Sequence, residues 1–360
     1  MGFTQVKTFS FRNLQDQVVD LEGLNIFLTG KNGQGKSNFL ESIYILCFGS
    51  SFRTRNESLL IKHGSSETTL FGIYSRDDEY SNTVSFNYKG KKKKILLNGK
   101  AVNDRKNLIQ NIPSIVFTHE DLTFINGSPD KKRWFFNQIM SIYDVVFIDL
   151  LRNYRRILKI RNTELKNENT KIIDVLNHQL AQAGMEILNR RISAVREFNT
   201  VFIPIFSSIS QLDREVYIKY EPSWRDCSSI DDIVEKLEKS YKNDIYTGST
   251  TTGIHRDKFE YYMDNFNFSK IASTGQLRLI SLVMRITQSI FYLKKTSRKP
   301  ILLLDDVLLE LDSERRNSFF NYLPEYEQAF FTFLPGEHAY DRIREDVKIF
   351  DVTDGKLAER

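Results

Sequence analysis

Apolar and polar positions change their spacing several times along this chain, and each change predicts a different element. Residues 3–9 and 16–29 read as short strands, the second closing on the largely apolar run Leu24, Asn25, Ile26, Phe27, Leu28, Thr29. Phe39, Leu40, Ile43 and Cys47 then recur at helical spacing, which predicts a helix ending near Gly49. Beyond it the period falls to two over residues 68–74, 83–88 and 95–102, and Asn98-Gly99 is a two-residue hairpin signal, so an antiparallel sheet is expected. Ile115, Val116 and Phe117 read as one more strand.

From residue 143 to 209 the pattern is helical almost throughout, with breaks expected near residues 167–170 and at Pro204. A strand at 216–220 and a helix at 230–243 follow. Ser128 with Pro129, and later Ser273, are helix starts; Leu279, Leu282, Val283 and Ile286 line one face of the later helix. Ile301 to Leu304 predict a fully buried strand ending in Asp305 and Asp306; Glu310, Leu311 and Asp312 open another helix, and Phe330 to Phe333 form the next strand. No repeat or low-complexity tract interrupts the chain.

Length adds that 360 residues exceed what one core normally serves, so two lobes are expected. With 41% hydrophobic and 27% charged residues, the composition is that of an ordinary soluble protein. A formal charge of +5 permits nucleic-acid binding without requiring it. Cys47 and Cys227 are too few for a disulfide framework or a metal cluster. The first residues lack a leader's apolar stretch, and no apolar run approaches the roughly 18 residues of a membrane span, so a cytoplasmic protein is expected.

The densest chemistry lies between the second strand and the first helix. Gly30, Lys31, Asn32, Gly33, Gln34, Gly35, Lys36 and Ser37 match G-x-x-x-x-G-K-[ST] at every fixed position. Glycines there let backbone N–H groups converge on a polyphosphate, Lys36 adds an ammonium for the β/γ-phosphates, and Ser37 is placed to ligate Mg²⁺. The anion then meets a helix N-terminus, whose unpaired N–H groups and dipole favour it. Asp305, at the end of a buried strand, is the second expected metal ligand, and Asp306 the acid that orients or deprotonates the attacking water.

Basic residues gather in three places. The run Lys91 to Lys94 reads as an edge-protecting charge run or as a phosphate contact. Lys131, Lys132 and Arg133 sit in the first turns of a helix, where cations oppose the dipole; they mark an anionic partner or a tolerant surface. Arg152, Arg155, Arg156 and Lys159 share one helical face, either solvated or laid against a DNA backbone. His255 and Arg256, beside Asp257, read equally as an ion-paired turn or as a sensor near nucleotide or DNA.

Taken in order, residues 30–37, Ser51-Phe52-Arg53-Thr54, His119-Glu120-Asp121-Leu122 with Gly127-Ser128-Pro129, Gly253-Ile254-His255-Arg256-Asp257, Ser273-Thr274-Gly275-Gln276 and residues 302–312 resemble the RecF family of SMC-like, ABC-type ATPases along nearly the whole chain. The resemblance implies an α/β fold: a P-loop NTPase of ABC-ATPase head type, with an antiparallel β subdomain and an inserted, mainly helical lobe. Residues 1–125 and 246–360 would form the head and 126–245 the lobe. It also implies an ATP-dependent homodimer, in which Ser273, Gly275 and Gln276 of one subunit close over the γ-phosphate held by the other, with Asp312 between them. In the family that clamp closes on DNA at single-strand gaps and, with RecR and RecO, places the RecA recombinase. Asp306 is one methylene shorter than the Glu of many ABC ATPases, as is usual in the family, so slow hydrolysis is implied. The switch histidine of transporter ATPases is absent at Phe331-Thr332-Phe333, and Asn137 stands where the family usually has an acid.

A transporter's nucleotide-binding subunit, another SMC-like ATPase and a small-molecule P-loop kinase are the competing readings. The β-hairpin region and the long helical section between Lys36 and Ser273 argue against the transporter subunit. A long coiled-coil arm is excluded too, since residues 143–209 would span only ~100 Å if unbroken.

Overall fold

The computed structural model describes residues 2–75, 81–167, 170–308, 311–336 and 346–360. Glu310, read above as part of a helix start, lies outside them. The chain divides into two compact units, Met1–His119 with Tyr292–Arg360, and Glu120–Phe291.

The first unit begins with β1 (Phe3–Phe9), β2 (Gln17–Asp20), β3 (Asn25–Thr29) and α1 (Lys36–Phe48). β4 (Glu67–Ser75), β5 (Ser81–Lys89), β6 (Lys92–Leu97), β7 (Lys100–Ala101), α2 (Lys106–Asn111) and β8 (Ser114–Phe117) follow. The alternating segments build an antiparallel sheet in the order β2-β1-β4-β5-β6-β7. Asn98 and Gly99, with φ of 51° and 75°, make the hairpin turn in the left-handed geometry that matches strand twist. Lys92, Lys93 and Lys94 lie within β6 and not between strands as expected. Their side chains point outward, and Lys93 pairs with Glu57.

The second unit holds α3 (Thr123–Asn126), α4 (Pro129–Tyr143), α5 (Val145–Lys166), α6 (Ile173–Ser210), β9 (Val216–Glu221), α7 (Ile230–Thr247), β10 (Lys258–Met263) and β11 (Phe266–Asn267), and most of α8 (Thr274–Thr296). Pro204 does not end the helix, as expected, but lies inside α6. Phe202, Ile205, Phe206 and Ile209 are all buried around it, and their packing outweighs the hydrogen bond that proline forfeits. Phe147, Leu151, Tyr154, Leu180, Ile187, Trp224 and Leu237 join α5, α6 and α7 in one core. The expected lobe closed at residue 245, whereas the compact unit runs to Phe291. The reason is pairing: β10 lies antiparallel to β9 along its whole length, which keeps the segment after α7 with the helices before it.

The chain returns to the first unit with β12 (Ile301–Leu304), α9 (Ser313–Tyr322), β13 (Gln328–Phe333), β14 (Val347–Thr353) and β15 (Lys356–Glu359). These join β3 and β8 in the order β15-β14-β3-β13-β12-β8, parallel except for β15. β3, β8, β12 and β13 are buried at every position, the mark of a parallel sheet covered on both faces. α1 contacts β4 and β5 of one sheet and β8 and β13 of the other, which explains why it is buried almost all round.

Candidate nucleotide-binding site

In the parallel sheet, β13 separates β3 from β12, so the loop after β3 and the acids after β12 emerge at the same edge. The loop makes its turn at Gly35, where φ is 118° and a Cβ would stand 2.9 Å from the Leu14 side chain; no L-residue fits. Lys36 is buried, and its ammonium donates to the carbonyls of Gly30 at 2.6 Å and Lys31 at 3.3 Å, so the charge lies inside the curl. Lys31, Asn32 and Gly33 are exposed at the rim. The loop is braced from outside: Asn13 donates to the Gly33 carbonyl at 2.9 Å, and the Gln34 side chain accepts from the Asp354 amide at 2.6 Å.

The two expected metal ligands meet here. Ser37 Oγ donates to Asp305 Oδ1 at 2.7 Å. Burial, reinforced by the charge of Asp306, holds the Asp305 carboxyl above its ordinary range, against the Ser37 hydrogen bond and the more distant Arg53 and His119. Asp306 adopts a left-handed backbone, φ 53°. Its amide donates to Thr332 Oγ1 at 2.7 Å, and the same hydroxyl donates to Asp306 Oδ1 at 2.8 Å. Among the described residues neither acid makes an ion pair. A hydroxyl beside an uncompensated carboxylate is a hard-oxygen donor set that suits Mg²⁺, an ion that takes few protein ligands and leaves the rest to phosphate and water. Among the described residues no group of three or more His, Cys, Asp or Glu side chains is placed to hold a metal.

Sequence reasoning missed the parts played at this site by Thr332 and by Glu41 with its partners. Thr332 was read only for the histidine it is not; a hydroxyl at the end of the strand beside the acid strand was the available signal. Glu41, fully buried on α1, accepts both arms of Arg12 at 2.9 and 2.8 Å and lies 3.6 Å from Arg53. Ser51 donates to the same carboxylate, and Arg53 also reaches Asn38 at 2.6 Å. The segment from Ser51 to Thr54 therefore anchors the P-loop helix.

In the second unit, Ser273 caps α8. Its hydroxyl accepts the Gln276 amide at 3.2 Å while the Gln276 side chain accepts the Ser273 amide at 2.8 Å, a reciprocal capping box. Ser273 and Gly275 are exposed, and a Cβ on Gly275 would meet nothing nearer than the Ser273 hydroxyl at 4.0 Å. Packing among the described residues does not explain that glycine. Asp312, in the first unit, caps α9 by accepting from the Arg315 amide at 2.8 Å.

The basic candidates separate. Lys131 is exposed on α4, but Lys132 is buried in an ion pair with Glu260 at 2.6 Å, and Arg133 donates to the Asp257 carbonyl at 2.6 Å. The expectation that all three face an anion is corrected for these two, whose donors are committed inside the unit. Arg152, Arg155, Arg156 and Lys159 are all exposed on α5. Arg155 and Lys159, with Lys166, border a surface depression of about 390 Å³.

His255 is held on both sides, by the Thr250 carbonyl at Nε2 and the Tyr154 hydroxyl at Nδ1, each at 2.9 Å. Burial pushes its pKa down to about 4, so the ring is neutral, with Nε2 donating and Nδ1 accepting. Gly253, at φ 135°, has no room for a Cβ, which would stand 2.5 Å from the Tyr154 hydroxyl. Asp257 accepts from Arg191 at 2.7 Å and from the Ser223 amide at 2.8 Å, and Arg191 also reaches Asn137 at 2.9 Å. Asp257 is ion-paired with Arg191, as the structural reading of this segment expects, whereas His255 is held in the turn as a neutral, hydrogen-bonded ring. Arg256 stays exposed, 3.2 Å from the Thr250 carbonyl.

Comparison with known proteins is consistent with this geometry. Residues 3–356 match the family described as RecF/RecN/SMC N terminal domain. The DNA replication and repair protein RecF of Treponema pallidum (strain Nichols) is 41% identical over 352 residues, 97% of this chain and 99% of the relative. RecF of Leptospira interrogans serogroup Icterohaemorrhagiae serovar copenhageni is 31% identical over 355 residues, 97% of this chain and 96% of that protein. A solved structure of the recombination mediator protein RecF-ATP in the RecFOR pathway superimposes with a TM-score of 0.89 at 25% identity, covering 100% of this chain and 97% of that one. The Smc head domain from Pyrococcus furiosus, at 15% identity and a TM-score of 0.56, shares the fold.

Proposed function

Since the chain belongs to the RecF family of DNA replication and repair proteins and has its ABC-ATPase head fold, we propose that it is an ATP-dependent, DNA-binding clamp of recombinational repair. ATP with Mg²⁺ binds at residues 30–37. Lys36 and the loop amides would neutralise the phosphates, and Ser37 and Asp305 would hold the metal, whose chemistry there would be to neutralise phosphate charge. Asp306 orients the attacking water. A second copy completes the site with Ser273, Gly275, Gln276 and Asp312, so ATP joins two subunits and hydrolysis, slow and stimulated by DNA, parts them. The pair closes on DNA at single-strand gaps in the cytoplasm, and with RecR and RecO it helps load RecA. Lys131, Arg152, Arg155, Arg156 and Lys159 are the proposed DNA contacts.

One observation carries the nucleotide reading: the 2.7 Å contact between Ser37 and Asp305 beside an ammonium buried in the loop. The exposed capping box, with a glycine that packing among the described residues does not require, supports completion by another molecule. Match to RecF proteins over the whole chain leaves the transporter-subunit and kinase readings without support. The test is ATP turnover with and without gapped DNA. Stimulation is expected; indifference to DNA would refute the clamp.

A further inference from the structure

The second acid of the site has an unusual holder. Asp306 sits in a left-handed backbone conformation that non-glycine residues seldom adopt, so something must fix it. Thr332, at the penultimate position of β13, does this with a single oxygen. Its hydroxyl accepts the Asp306 amide at 2.7 Å and lies 2.8 Å from Asp306 Oδ1; Asp305 Oδ1 and the Leu304 carbonyl are farther, at 3.4 and 3.5 Å. A hydroxyl has one proton to donate. Asp306 Oδ1 is the nearest acceptor, 2.8 Å against 3.4 Å for Asp305 Oδ1, so the Thr332 proton goes to Asp306, and the hydroxyl clips that residue's main chain to its own carboxylate. The clip is rigid. Thr332 is 3% exposed, β-branched, and held on a strand paired on both sides, with β3 and β12.

We propose that Thr332 is the positioning residue for ATP hydrolysis, setting the rotamer of Asp306 from which the carboxylate addresses water. This rests on the reading of Asp306 as the water-orienting acid. Thr332 Oγ1 bonds Asp306 at 2.8 Å and lies 3.4 Å from Asp305 Oδ1, so its loss is expected chiefly in turnover and little in affinity. An acid displaced by about 1 Å costs on the order of a hundred-fold in rate.

The experiment measures single-turnover phosphate release with saturating ATP and gapped DNA, beside the affinity for a fluorescent non-hydrolysable analogue. Thr332→Val, which keeps shape and removes the hydroxyl, should leave affinity within about two-fold and slow release about ten- to a hundred-fold. Thr332→Ser should restore most of the rate, and Thr332→Ala reports the same loss if the valine variant does not fold. Asp306→Asn should abolish release, and adding Thr332→Val to it should change nothing further. If Asp306→Asn turns over normally, the reading of the acid and this inference both fall. If Asp306→Asn is dead while Thr332→Val turns over normally, this inference alone falls. It falls likewise if Thr332→Val loses affinity as much as rate.

Discussion

Carboxylates in this molecule are held in two opposite ways. In the second unit each buried one is closed by an arginine, Asp244 by Arg161 at 2.8 Å, Asp257 by Arg191 at 2.7 Å, and Asp121 by both arms of Arg285 at 2.5 and 3.0 Å, as Glu41 of the first unit is by Arg12. At the edge of the parallel sheet in the first, the side-chain hydrogen bonds that Asp305 and Asp306 accept among the described residues come from hydroxyls, of Ser37 and Thr332. An arginine-closed acid has spent its charge on architecture. An acid held by a neutral donor keeps its charge for something that arrives, and the cost of burying it there is offset when a cation binds. The difference separates site from scaffold without reference to position in the sequence.

Lys36→Ala attacks the open side of this comparison and should have the largest effect, loss of both ATP binding and hydrolysis with an unchanged melting curve; equilibrium binding of a fluorescent analogue checks it. Arg191→Met attacks the closed side. It strands Asp257 in the interior and should cost about 3–5 kcal/mol of stability, read by denaturant unfolding, while any folded protein keeps its nucleotide affinity. A variant that melts normally would show that this pair is not the brace it is taken for.

The third prediction sharpens the contrast through pH. His255 has a folded pKa of about 4 against an ordinary 6.5, so the unfolded chain binds the extra proton between these values. Its contribution to stability is therefore complete above pH 6.5 and is lost as pH falls toward 4, at most ~3 kcal/mol. Unfolding of wild type and His255→Gln across this window should converge in acid, and parallel curves would contradict it. Smallest, replacing Arg152, Arg155 and Arg156 by Gln should lower the salt slope of DNA binding by up to about 3. An unchanged slope would make that face of α5 merely solvated.

Much of the site was legible because its chemistry is local. Residues 30–37 carry their glycines, lysine and serine at the spacing of a phosphate-binding loop, and Asp305 announces itself by closing an apolar run. The capped helix at Ser273 was equally readable, since N-cap and partner are three residues apart. What could not be read depends on sheet order and long-range pairing. Thr332 meets Asp306 because β13 lies beside β12, which periodicity does not state. Lys132 looked free until Glu260, 128 residues on, was seen beside it. Pro204 looked like a helix end because the apolar neighbours that hold α6 together come from other elements. Glu41 is one acid on a helical stripe until folding brings Arg12 to it.

The central claim is that ATP is shared between two copies, one offering Lys36 and the other Ser273. Sedimentation of wild type and Ser273→Arg with a saturating non-hydrolysable ATP analogue, with bound nucleotide measured in the same run, tests it most directly. The account predicts that wild type becomes a dimer, while Ser273→Arg binds the analogue with wild-type affinity and stays a monomer. A wild type that stays monomeric, or a Ser273→Arg variant that dimerises or loses nucleotide as a monomer, would contradict it.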